Sequence, residues 1–341
     1  VAAALLKEQG YHVIGATMRL WTYSDSCNMK HEGCCAESAV EDARRVCDKL
    51  GIDFYVMNFK DMFKDKVVDY FVDEYIHGRT PNPCIACNKY LKFDALLKKA
   101  LAMGIDYVAT GHYAKIEKGE DGKYILRASE AVKKDQSYVL YNFTQEQLAH
   151  TLMPLGGYNK DWVRQKAEEL GLGVAHKPDS QEICFVEDDD YAKFITDYSG
   201  YKPKEGDILD VNGNVIGKHR GLIYYTIGQR KGIGAYGRPM FVMKIDAENN
   251  TITLGEKGME FSNELTAYDV NFVSGEFPKE NMLITAKVRY QAPPAAAMLC
   301  PQKDGTVKLM FPEPQRAVTP GQAVVFYDGD IVLGGGTVLQ E

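Results

Sequence analysis

The sequence predicts an α/β amino-terminal domain with a doubly wound parallel sheet, followed by two small β-rich domains, the last of them a β-barrel. Two observations support this fold class. Up to about residue 199, short β-type runs alternate with segments of helical apolar spacing, whereas from Gly200 onward short strands are separated by turn signals. Strand–helix alternation implies parallel pairing with right-handed crossovers, and evenly spaced short strands are typical of small sheets and barrels. We expect domains at 1–199, 200–263 and 264–341.

The elements of the first domain follow from apolar periodicity and from capping residues. Residues 1–9 have the pattern of an apolar helix that Gly10 ends, and Asn159 is placed to cap a helix that runs to Gly171. Asp121-Gly122 marks a hairpin between strands at 114–117 and 124–127. The other expected elements are strands at 11–20, 53–59 and 106–114 and helices at 36–50 and 61–76.

The second half carries repeated hairpin signals between short alternating strands. These signals are Asn212-Gly213, residues 248–250, Asp304-Gly305 and Asp328-Gly329. We expect two β units with a boundary near residues 262–268.

The composition is that of an ordinary globular protein. Of 341 residues, 45% are hydrophobic and 26% are charged, which excludes disordered, collagenous and coiled-coil classes. No run approaches the ~18 apolar residues of a membrane span, so we expect a cytoplasmic protein with no membrane partner. The net charge of −7 excludes a globally basic nucleic-acid binder, and contact with RNA would require local basic patches.

The sharpest local signal is a C-x-x-C motif that follows Asn82 and Pro83. Asn82 can cap a helix that begins at Pro83, because proline at the first helical position loses a donor that the helix does not use. Cys84 and Cys87 then occupy the second and fifth positions, on one face near the positive end of the helix dipole, which favours thiolate. Nucleophilic or ligating sulfur and simple packing of two cysteines both remain open readings of this motif.

Other cysteines carry weaker signals. Eight cysteines in this length are too few for a disulfide scaffold. Cys184 lies between Ile183 and Phe185, a setting that is more typical of a buried apolar residue than of a reactive thiol. The cluster Cys27, His31, Cys34 and Cys35 matches no standard zinc spacing and is expected to be a mobile loop. Cys47 and Cys300 are expected in the core, and the G-x-G-x-x-G match at 232–237 lacks the strand-to-helix context of a dinucleotide site.

Two groups of basic residues could contact a polyanion. Between residues 218 and 238, cations alternate with tyrosines, a combination that suits phosphate contact and base stacking. The cations are Lys218, Arg220, Arg230, Lys231 and Arg238, and the tyrosines are Tyr224, Tyr225 and Tyr236. The second group lies on the helix that carries Cys87 and consists of Lys89, Lys92, Lys98 and Lys99.

Taken together, these residues make the chain closely similar to tRNA-specific 2-thiouridylases of the MnmA type, in the PP-loop group of ATP pyrophosphatases with an adenine nucleotide alpha hydrolase-like domain. The similarity extends over the whole chain in several ordered motifs. The matching strings are TPNPCIACNKYLKFDALL (80–97), ATGHYA (109–114), KDQSYVLY (134–141), KPDSQEICFV (177–186), GLIYYTIGQRKGIG (221–234) and PGQAVVFYDGDIVLGGG (320–336).

This resemblance implies an activity. Such enzymes use ATP with Mg²⁺ to adenylate the C2 oxygen of the wobble uridine, U34, in tRNAs such as those for Lys, Glu and Gln, and then replace that oxygen with sulfur. Adenylation is needed because a carbonyl oxygen is a poor leaving group, and a persulfide supplies sulfur as a nucleophile of low pKa. The sulfur donor is implied to be a protein of the cysteine desulfurase or sulfur-relay type. The family's SGGVDS phosphate loop is expected upstream of Val1.

The resemblance also implies roles for individual residues. Cys184 would carry the persulfide and Cys87 would act as the second nucleophile, ending in a Cys87–Cys184 disulfide bond. Asn82, Pro83 and Cys84 would line the target base, which must leave its stack to be modified. Met18 and Gly111 would belong to the ATP pocket. The residues matched to tRNA contacts are His112, Lys134, Asp135, Gln136, Arg289, Tyr290 and Gln322.

Three alternatives remain open at this point. Cys84, Cys87 and Cys184 could together hold a 4Fe–4S cluster with one iron left to bind sulfide, so that the cluster rather than a persulfide delivers sulfur. A PP-loop synthetase acting on a small metabolite would share the fold but would have no use for paired cysteines. A catalytically silent RNA-binding protein would share the basic patches.

Overall fold

The structure is a computed structural model that describes residues 1–21, 37–131, 134–177, 183–186 and 189–340. The cluster Cys27, His31, Cys34 and Cys35 lies outside the described residues. The chain forms two compact units. The first contains Val1–Val68, Pro83–Asp190 and Asp330–Val332, and the second contains Asp69–Asn82, Tyr191–Gly329 and Leu333–Glu341.

The α-helices of the described residues are α1 (Ala2–Glu8), α2 (Glu37–Leu50), α3 (Lys60–Phe63), α4 (Tyr70–Ile76), α5 (Pro83–Ala86), α6 (Leu96–Ala102), α7 (Gln145–Ala149), α8 (Lys160–Glu169) and α9 (Tyr191–Ser199). The strands are β1 (Gly15–Arg19), β2 (Phe54–Asn58), β3 (Val108–Ala109), β4 (Ala114–Lys118), β5 (Tyr124–Ala128), β6 (Thr151–Leu152), β7 (Gly206–Leu209), β8 (Val215–His219), β9 (Met240–Asp246), β10 (Thr251–Glu256), β11 (Phe261–Phe272), β12 (Met282–Lys287), β13 (Ala295–Pro301), β14 (Val307–Arg316), β15 (Ala323–Asp328) and β16 (Ile331–Val338).

The first unit contains parallel strand pairs with helices packed on them. Strands β1 and β2 pair in parallel from Gly15 opposite Phe54 to Arg19 opposite Asn58. Helix α2, which lies between them in sequence, packs on both strands. Strands β3 and β6 form a second, shorter parallel pair. These pairings confirm the predicted strand–helix–strand alternation.

Local signals at the ends of elements are confirmed. Helix α1 ends where Gly10 adopts φ 90° and the next amide, of Tyr11, donates to the carbonyl of Leu6. The side chain of Asn159 accepts a hydrogen bond of 2.8 Å from the backbone amide of Trp162, which caps α8 as expected. The hairpin of β4 and β5 turns at Asp121-Gly122.

The expected strand at 106–114 is wrong in its extent. Strand β3 contains only Val108–Ala109, and β4 begins at Ala114. Just before β4, the backbone of Tyr113 pairs with Gln136 instead of with a strand. Its amide donates to the Gln136 side-chain oxygen at 2.9 Å, and its carbonyl accepts from the Gln136 amide at 2.9 Å. Because these bonds take the place of a strand partner, the strand pattern is interrupted by a loop.

Two helical runs widen into π turns. The segment Lys64–Asp69 separates α3 from α4, and Cys87–Ala95 separates α5 from α6. The predicted helix at 61–76 is therefore helical throughout but not uniform. Apolar spacing alone does not distinguish an α turn from the wider π turn, which accommodates one more residue per hydrogen bond.

The second unit contains a small mixed sheet built from β7 to β10. The strand order is β8-β7-β10-β9, in which β7 and β10 are parallel and the other neighbours antiparallel. The predicted turns at Asn212-Gly213 and at 248–250 connect β7 to β8 and β9 to β10, as expected. The core of this sheet includes the fully buried Val242, Ile252 and Leu254.

The predicted β-barrel is also present. Six strands follow one another in the order β11-β14-β13-β12-β15-β16, and pairing of β16 with β11 closes the barrel. Its interior is filled by alternate residues of these strands, such as Leu299, Leu309 and Phe326, which have no exposed surface. The predicted boundary near 262–268 falls inside β11, because this strand is continuous from Phe261 to Phe272.

Within the described residues, no helix combines the length and the apolar character that a membrane crossing requires.

Candidate active site

The C-x-x-C motif lies at the start of a helix, as the sequence predicts. Helix α5 begins at Pro83, so Cys84 and Cys87 occupy its second and fifth positions. Cys84 is exposed, whereas Cys87 is 8% exposed. The π turns start at Cys87 itself. Wide turns of this kind are frequent at functional sites. The exposed and the buried thiol lie within one helical turn because they are three residues apart.

Helix α5 packs against a 3₁₀ helix, Ser137–Leu140, that comes from a distant part of the chain. A side-chain hydrogen bond supports this contact: the amide nitrogen of Asn88 donates to the carbonyl of Val139 at 2.9 Å. The 3₁₀ helix directly follows Lys134, Asp135 and Gln136. The structure therefore brings the thiol-bearing helix close to the segment that the resemblance matches to tRNA contacts.

Asp135 and Gln136 have structural partners inside the first unit. One carboxylate oxygen of Asp135 accepts from the backbone amides of Ser129 and Ser137 at 3.0 and 3.2 Å, and the other accepts from the Ser137 hydroxyl at 2.8 Å. Gln136 pairs with the backbone of Tyr113 as described above. These bonds fix the loop that carries the half-buried Lys134.

His112 lies in the loop before β4 and faces the helix that continues from Cys87. Its ring is 5.7 Å from that of Phe93, and its Nδ1 lies 2.8 Å from the Thr110 hydroxyl. Burial, with a smaller contribution from the positive charge of Lys92, lowers the pKa of His112 from 6.5 to about 3. The imidazole is therefore neutral at physiological pH and can hydrogen-bond but cannot supply positive charge.

Cys184 lies in a short turn in which the Val186 amide donates to the Ile183 carbonyl at 3.0 Å. The next residue, Phe185, is 1% exposed, and its ring lies 5.6 Å from the ring of Phe63 in α3. Helix α3 in turn packs against Cys87–Ala95. The turn of Cys184 and the helical segment that begins at Cys87 thus share α3 as a neighbour, although the two residues are 97 positions apart in the sequence.

The residues matched to ATP lie after or within strands of the first unit. Met18 is half-buried in β1, opposite Met57 of β2. Gly111 is exposed in the loop after β3, where an added Cβ would meet only Leu155 at 3.6 Å. Both positions are near the carboxyl ends of parallel strands, the edge at which ligands bind in α/β sheets.

The remaining matched residues belong to the second unit. Asn82 is the last residue of a segment of that unit, and Pro83 and Cys84 open a segment of the first. Arg289 and Tyr290 are exposed after β12, with the Lys287 ammonium 5.8 Å from the Tyr290 ring centroid. Gln322 is half-buried, and its side-chain nitrogen donates to the carbonyl of Thr80 at 2.8 Å.

The iron–sulfur alternative requires Cys84, Cys87 and Cys184 to converge. In the described part of the chain, which includes Cys84, Cys87 and Cys184, no three His, Cys, Asp or Glu side chains come together as possible metal ligands. The arrangement gives this alternative no support.

Known proteins are similar to this chain over nearly its whole length. A family model described as the tRNA methyl transferase HUP domain matches residues 1–188, the corresponding PRC-barrel domain matches 192–256, and a model described as the aminomethyltransferase beta-barrel domain matches 262–338. Similar full-length proteins are named tRNA-specific 2-thiouridylase MnmA. The protein of Acetivibrio thermocellus is 58% identical over 341 residues, 99% of this chain and 95% of its own, and that of Clostridioides difficile is 57% identical over 340 residues, 99% of this chain and 94% of its own.

This chain belongs to the tRNA-specific 2-thiouridylase family. The family assignment confirms the predicted fold class, a HUP α/β domain followed by a PRC-barrel and a β-barrel domain. It also confirms that the chain is an enzyme, a sulfurtransferase.

The basic patch of the PRC-barrel region consists of the cations between residues 218 and 238, and some of these cations form ion pairs with carboxylates. Lys218 and Arg238 form ion pairs with Asp207 and Glu256, at 2.6 and 2.7 Å. The Arg220 guanidinium lies over the Tyr224 ring at 4.0 Å. Arg230 and Lys231 are exposed, and Arg230 and Arg238 line a cleft of about 350 Å³.

Sequence reasoning missed three buried or half-buried polar residues that lie close in sequence to the C-x-x-C motif. Asn88 is 3% exposed, and its side-chain oxygen accepts no hydrogen bond from any described residue. Glu74 and Arg79 form a largely buried ion pair just before the C-x-x-C segment. Their five-residue spacing is not that of a helical pair. The only signal in the sequence is a glutamate shortly before the C-x-x-C motif.

Proposed function

We propose that this protein carries out ATP-dependent 2-thiolation of the wobble uridine of tRNA, with cysteine persulfide as the immediate sulfur source. The observation that carries the proposal is full-length identity of 57–58% to proteins named tRNA-specific 2-thiouridylase. The proximity of the Cys84–Cys87 helix to the Lys134–Gln136 segment supports it, because a tRNA contact and a reactive thiol must serve the same nucleotide.

The proposed chemistry has two stages. In the first, the C2 oxygen of the uridine attacks the α-phosphorus of ATP and pyrophosphate leaves, which converts the oxygen into a leaving group. Met18 and Gly111 contribute to the ATP pocket, and Mg²⁺ accompanies the nucleotide. Asn82, Pro83 and Cys84 hold the base after it has left the anticodon stack.

In the second stage, the terminal sulfur of the Cys184 persulfide attacks C2 and forms a C2–S–S–Cys184 linkage. The Cys87 thiolate then attacks the Cys184 sulfur, so that the S–S bond breaks, the transferred sulfur stays on C2 and AMP leaves. The two cysteines end as a disulfide, which a thiol reductant must reduce before a sulfur donor of the cysteine desulfurase or sulfur-relay type reloads Cys184. The shared contact with α3 supports an encounter of the two thiols.

The contacts with tRNA are assigned to both units. His112, Lys134, Asp135 and Gln136 are proposed on the first unit and Arg289, Tyr290 and Gln322 on the second. The internal bonds of Asp135 and Gln136 suit a role in which they shape the loop and Lys134 meets the phosphates. The cytoplasm is the proposed location, since the proposed substrate, tRNA, is found there.

Mass spectrometry of tRNA tests the proposal. Full-length protein, ATP, Mg²⁺ and a persulfide donor are incubated with unmodified tRNA for Lys, Glu or Gln, and the digested anticodon fragment is analysed. We expect replacement of one oxygen by sulfur at the wobble position, dependent on ATP and with release of pyrophosphate. Pyrophosphate release without any sulfur in the tRNA, or no change in the tRNA under all conditions, would refute the assignment.

A further inference from the structure

The turn that precedes the C-x-x-C segment is held by a buried ion pair. Glu74, at the end of α4, is 5% exposed. The Arg79 guanidinium binds it with two parallel hydrogen bonds, from Nε to Oε2 at 2.9 Å and from a terminal nitrogen to Oε1. A fork of this kind fixes the orientation of both side chains more strictly than a single contact does. The backbone of Arg79 is fixed as well, because its amide donates to the Glu74 carbonyl at 2.9 Å.

The next residue, Thr80, is held through both of its backbone polar groups. Its amide donates to the carbonyl of Pro320 at 2.9 Å, and its carbonyl accepts from the side-chain nitrogen of Gln322 at 2.8 Å. Between these two partners, Gly321 has φ +84°, and a Cβ there would lie 3.0 Å from the Thr80 amide nitrogen. Only glycine allows the two backbones to approach so closely.

These contacts all lie within the second unit. The last residue that they hold before the proposed base-binding residues Asn82, Pro83 and Cys84 is Thr80. After Thr80 the chain continues through Pro81 to Asn82, Pro83 and Cys84. Pro81 and Pro83 have fixed φ angles, so little backbone freedom separates Thr80 from Cys84. Fixing Thr80 therefore restricts where the following residues can be.

We propose that Glu74, Arg79 and Gln322 are positioning residues for the thiolation reaction. With the backbone of Thr80, they form what we term the Thr80 clamp, which holds the approach to Asn82, Pro83 and Cys84. The inference rests on the proposed function for the role of those three residues. Group transfer to a base depends on placement to within about 1 Å, and the clamp fixes the backbone from which Asn82 follows two residues later. In this view Gln322 acts through Thr80 and not only by touching tRNA.

The second unit offers a matched control for each member of the clamp. Gln340 donates from its side-chain nitrogen to the carbonyl of Ile245 at 2.9 Å, the same kind of bond that Gln322 makes. Arg316 pairs with Glu260, which is 7% exposed, as Arg79 pairs with Glu74. The test compares Gln322→Ala with Gln340→Ala, and Arg79→Lys with Arg316→Lys.

Hydrogen exchange of the full-length protein is the first measurement. In the clamp variants we expect the amides of residues 80–87 to exchange about tenfold faster than in wild type, the factor that corresponds to one lost hydrogen bond. The control variants should leave this segment unchanged while their thermal midpoints fall by a similar amount. Equal exchange at 80–87 in clamp and control variants would overturn the proposal.

Steady-state thiolation is the second measurement. We expect Arg79→Lys to lose at least tenfold in kcat with less than a threefold change in KM for tRNA, since it misplaces the reacting groups without removing a proposed contact with tRNA. Gln322→Ala also removes a proposed contact with tRNA, so we expect it to lose at least tenfold in kcat and to raise KM as well. A rise in KM alone, with unchanged exchange, would show that Gln322 is a tRNA contact and would overturn the positioning role. Wild-type protein that exchanges as expected but thiolates no tRNA would instead refute the proposed function and leave the clamp as a structural feature.

Discussion

The neutral imidazole of His112 makes folding sensitive to acid. Because its pKa in the folded protein is about 3 and its ordinary value is 6.5, the unfolded chain binds a proton in that interval and the folded chain does not. The free energy of unfolding must therefore fall as the pH decreases from about 6.5 toward 3.

The variant His112→Gln tests this linkage. We expect wild type to lose about 1–2 kcal/mol of unfolding free energy from His112 between pH 7 and pH 5, and the variant to show a correspondingly flatter pH dependence in urea titrations. His12→Gln, at an exposed position, serves as the control and should keep the wild-type slope. Identical slopes for all three proteins would contradict a buried, neutral His112.

Substitution of Cys184 tests its proposed role as the persulfide carrier. Cys184→Ser should abolish thiolation, because a hydroxyl cannot carry a persulfide, while tRNA affinity stays within about twofold of wild type. Cys300→Ser, at another half-buried cysteine in the barrel, should keep full activity. Thiolation assays with filter binding of tRNA separate the two effects. A Cys184→Ser protein that thiolates at the wild-type rate would remove Cys184 from the mechanism.

At the residue scale, the sequence predicts where a reactive side chain lies on its own helix better than it predicts which distant residues form hydrogen bonds with a loop side chain. The helical placement of Cys84 and Cys87 follows from Asn82 and Pro83, since asparagine favours the cap and proline the first position of a helix. The partners of Asp135 and Gln136 could not be predicted in this way. A carboxylate in a loop is equally suited to bind backbone amides or to face solvent, and the choice is made by chain segments that are distant in sequence.

At the scale of elements, Asn88 links the π segment that follows α5 to the 3₁₀ helix. Its side-chain nitrogen donates to Val139, so Asn88→Asp removes the donor and places a carboxylate against a carbonyl. We expect Asn88→Ala to lower the free energy of unfolding by about 1 kcal/mol and Asn88→Asp to lower it by more.

Thermal or urea unfolding of the two Asn88 variants measures this difference. Asn88→Ala is the matched reference, because it removes the hydrogen bond without adding a charge. If Asn88→Asp were as stable as wild type, the bond to Val139 would not contribute and the packing of α5 would rest on apolar contact alone.

Hairpins and helix caps are the elements that the sequence specifies most directly. The turn at Asp328-Gly329 and the cap at Asn159 depend on a few adjacent residues, and both are confirmed. The π turns at Cys87–Ala95 and the interruption of the strand at 106–114 depend on tertiary contacts such as the pairing of Tyr113 with Gln136. No local pattern records those contacts.

At the scale of the whole molecule, a net charge of −7 must be reconciled with a polyanionic substrate. Among the basic residues of the PRC-barrel patch, Lys218 and Arg238 are neutralised by carboxylates, whereas Arg230 and Lys231 are exposed next to a cleft. We expect these two residues to attract the phosphates of tRNA, which the net negative charge of the protein otherwise repels.

Neutralising both residues, as Arg230→Ala with Lys231→Ala, should weaken tRNA binding and reduce the slope of log affinity against log salt by about one to two. The control, Lys279→Ala with Lys303→Ala, removes the same charge from exposed positions of the barrel region and should leave the slope unchanged. Binding titrations over a range of salt concentrations give the slopes directly. A slope in the Arg230 and Lys231 variant equal to that of wild type would exclude the patch from the interface.

The order of domain types could be predicted because hydrophobic periodicity changes near Gly200 from a mixed to a purely β pattern. The strand pair that closes the barrel could not be predicted, since β11 and β16 meet through residues such as Ala267 and Val338 that are far apart in sequence. The continuity of β11 through the expected boundary has the same origin: its first half pairs with β14 and its second half with β16.

The wide turns of Cys87–Ala95 affect how this helical run would respond to a change in chain length. A π turn holds one more residue per hydrogen bond than an α turn, so deletion of a single residue there would let the run tighten toward an ordinary α-helix. Because the tightening absorbs the missing residue, Cys84 and Cys87 would keep their directions relative to α6. The same deletion within a regular α-helix would instead rotate every upstream side chain by ~100° about the helix axis.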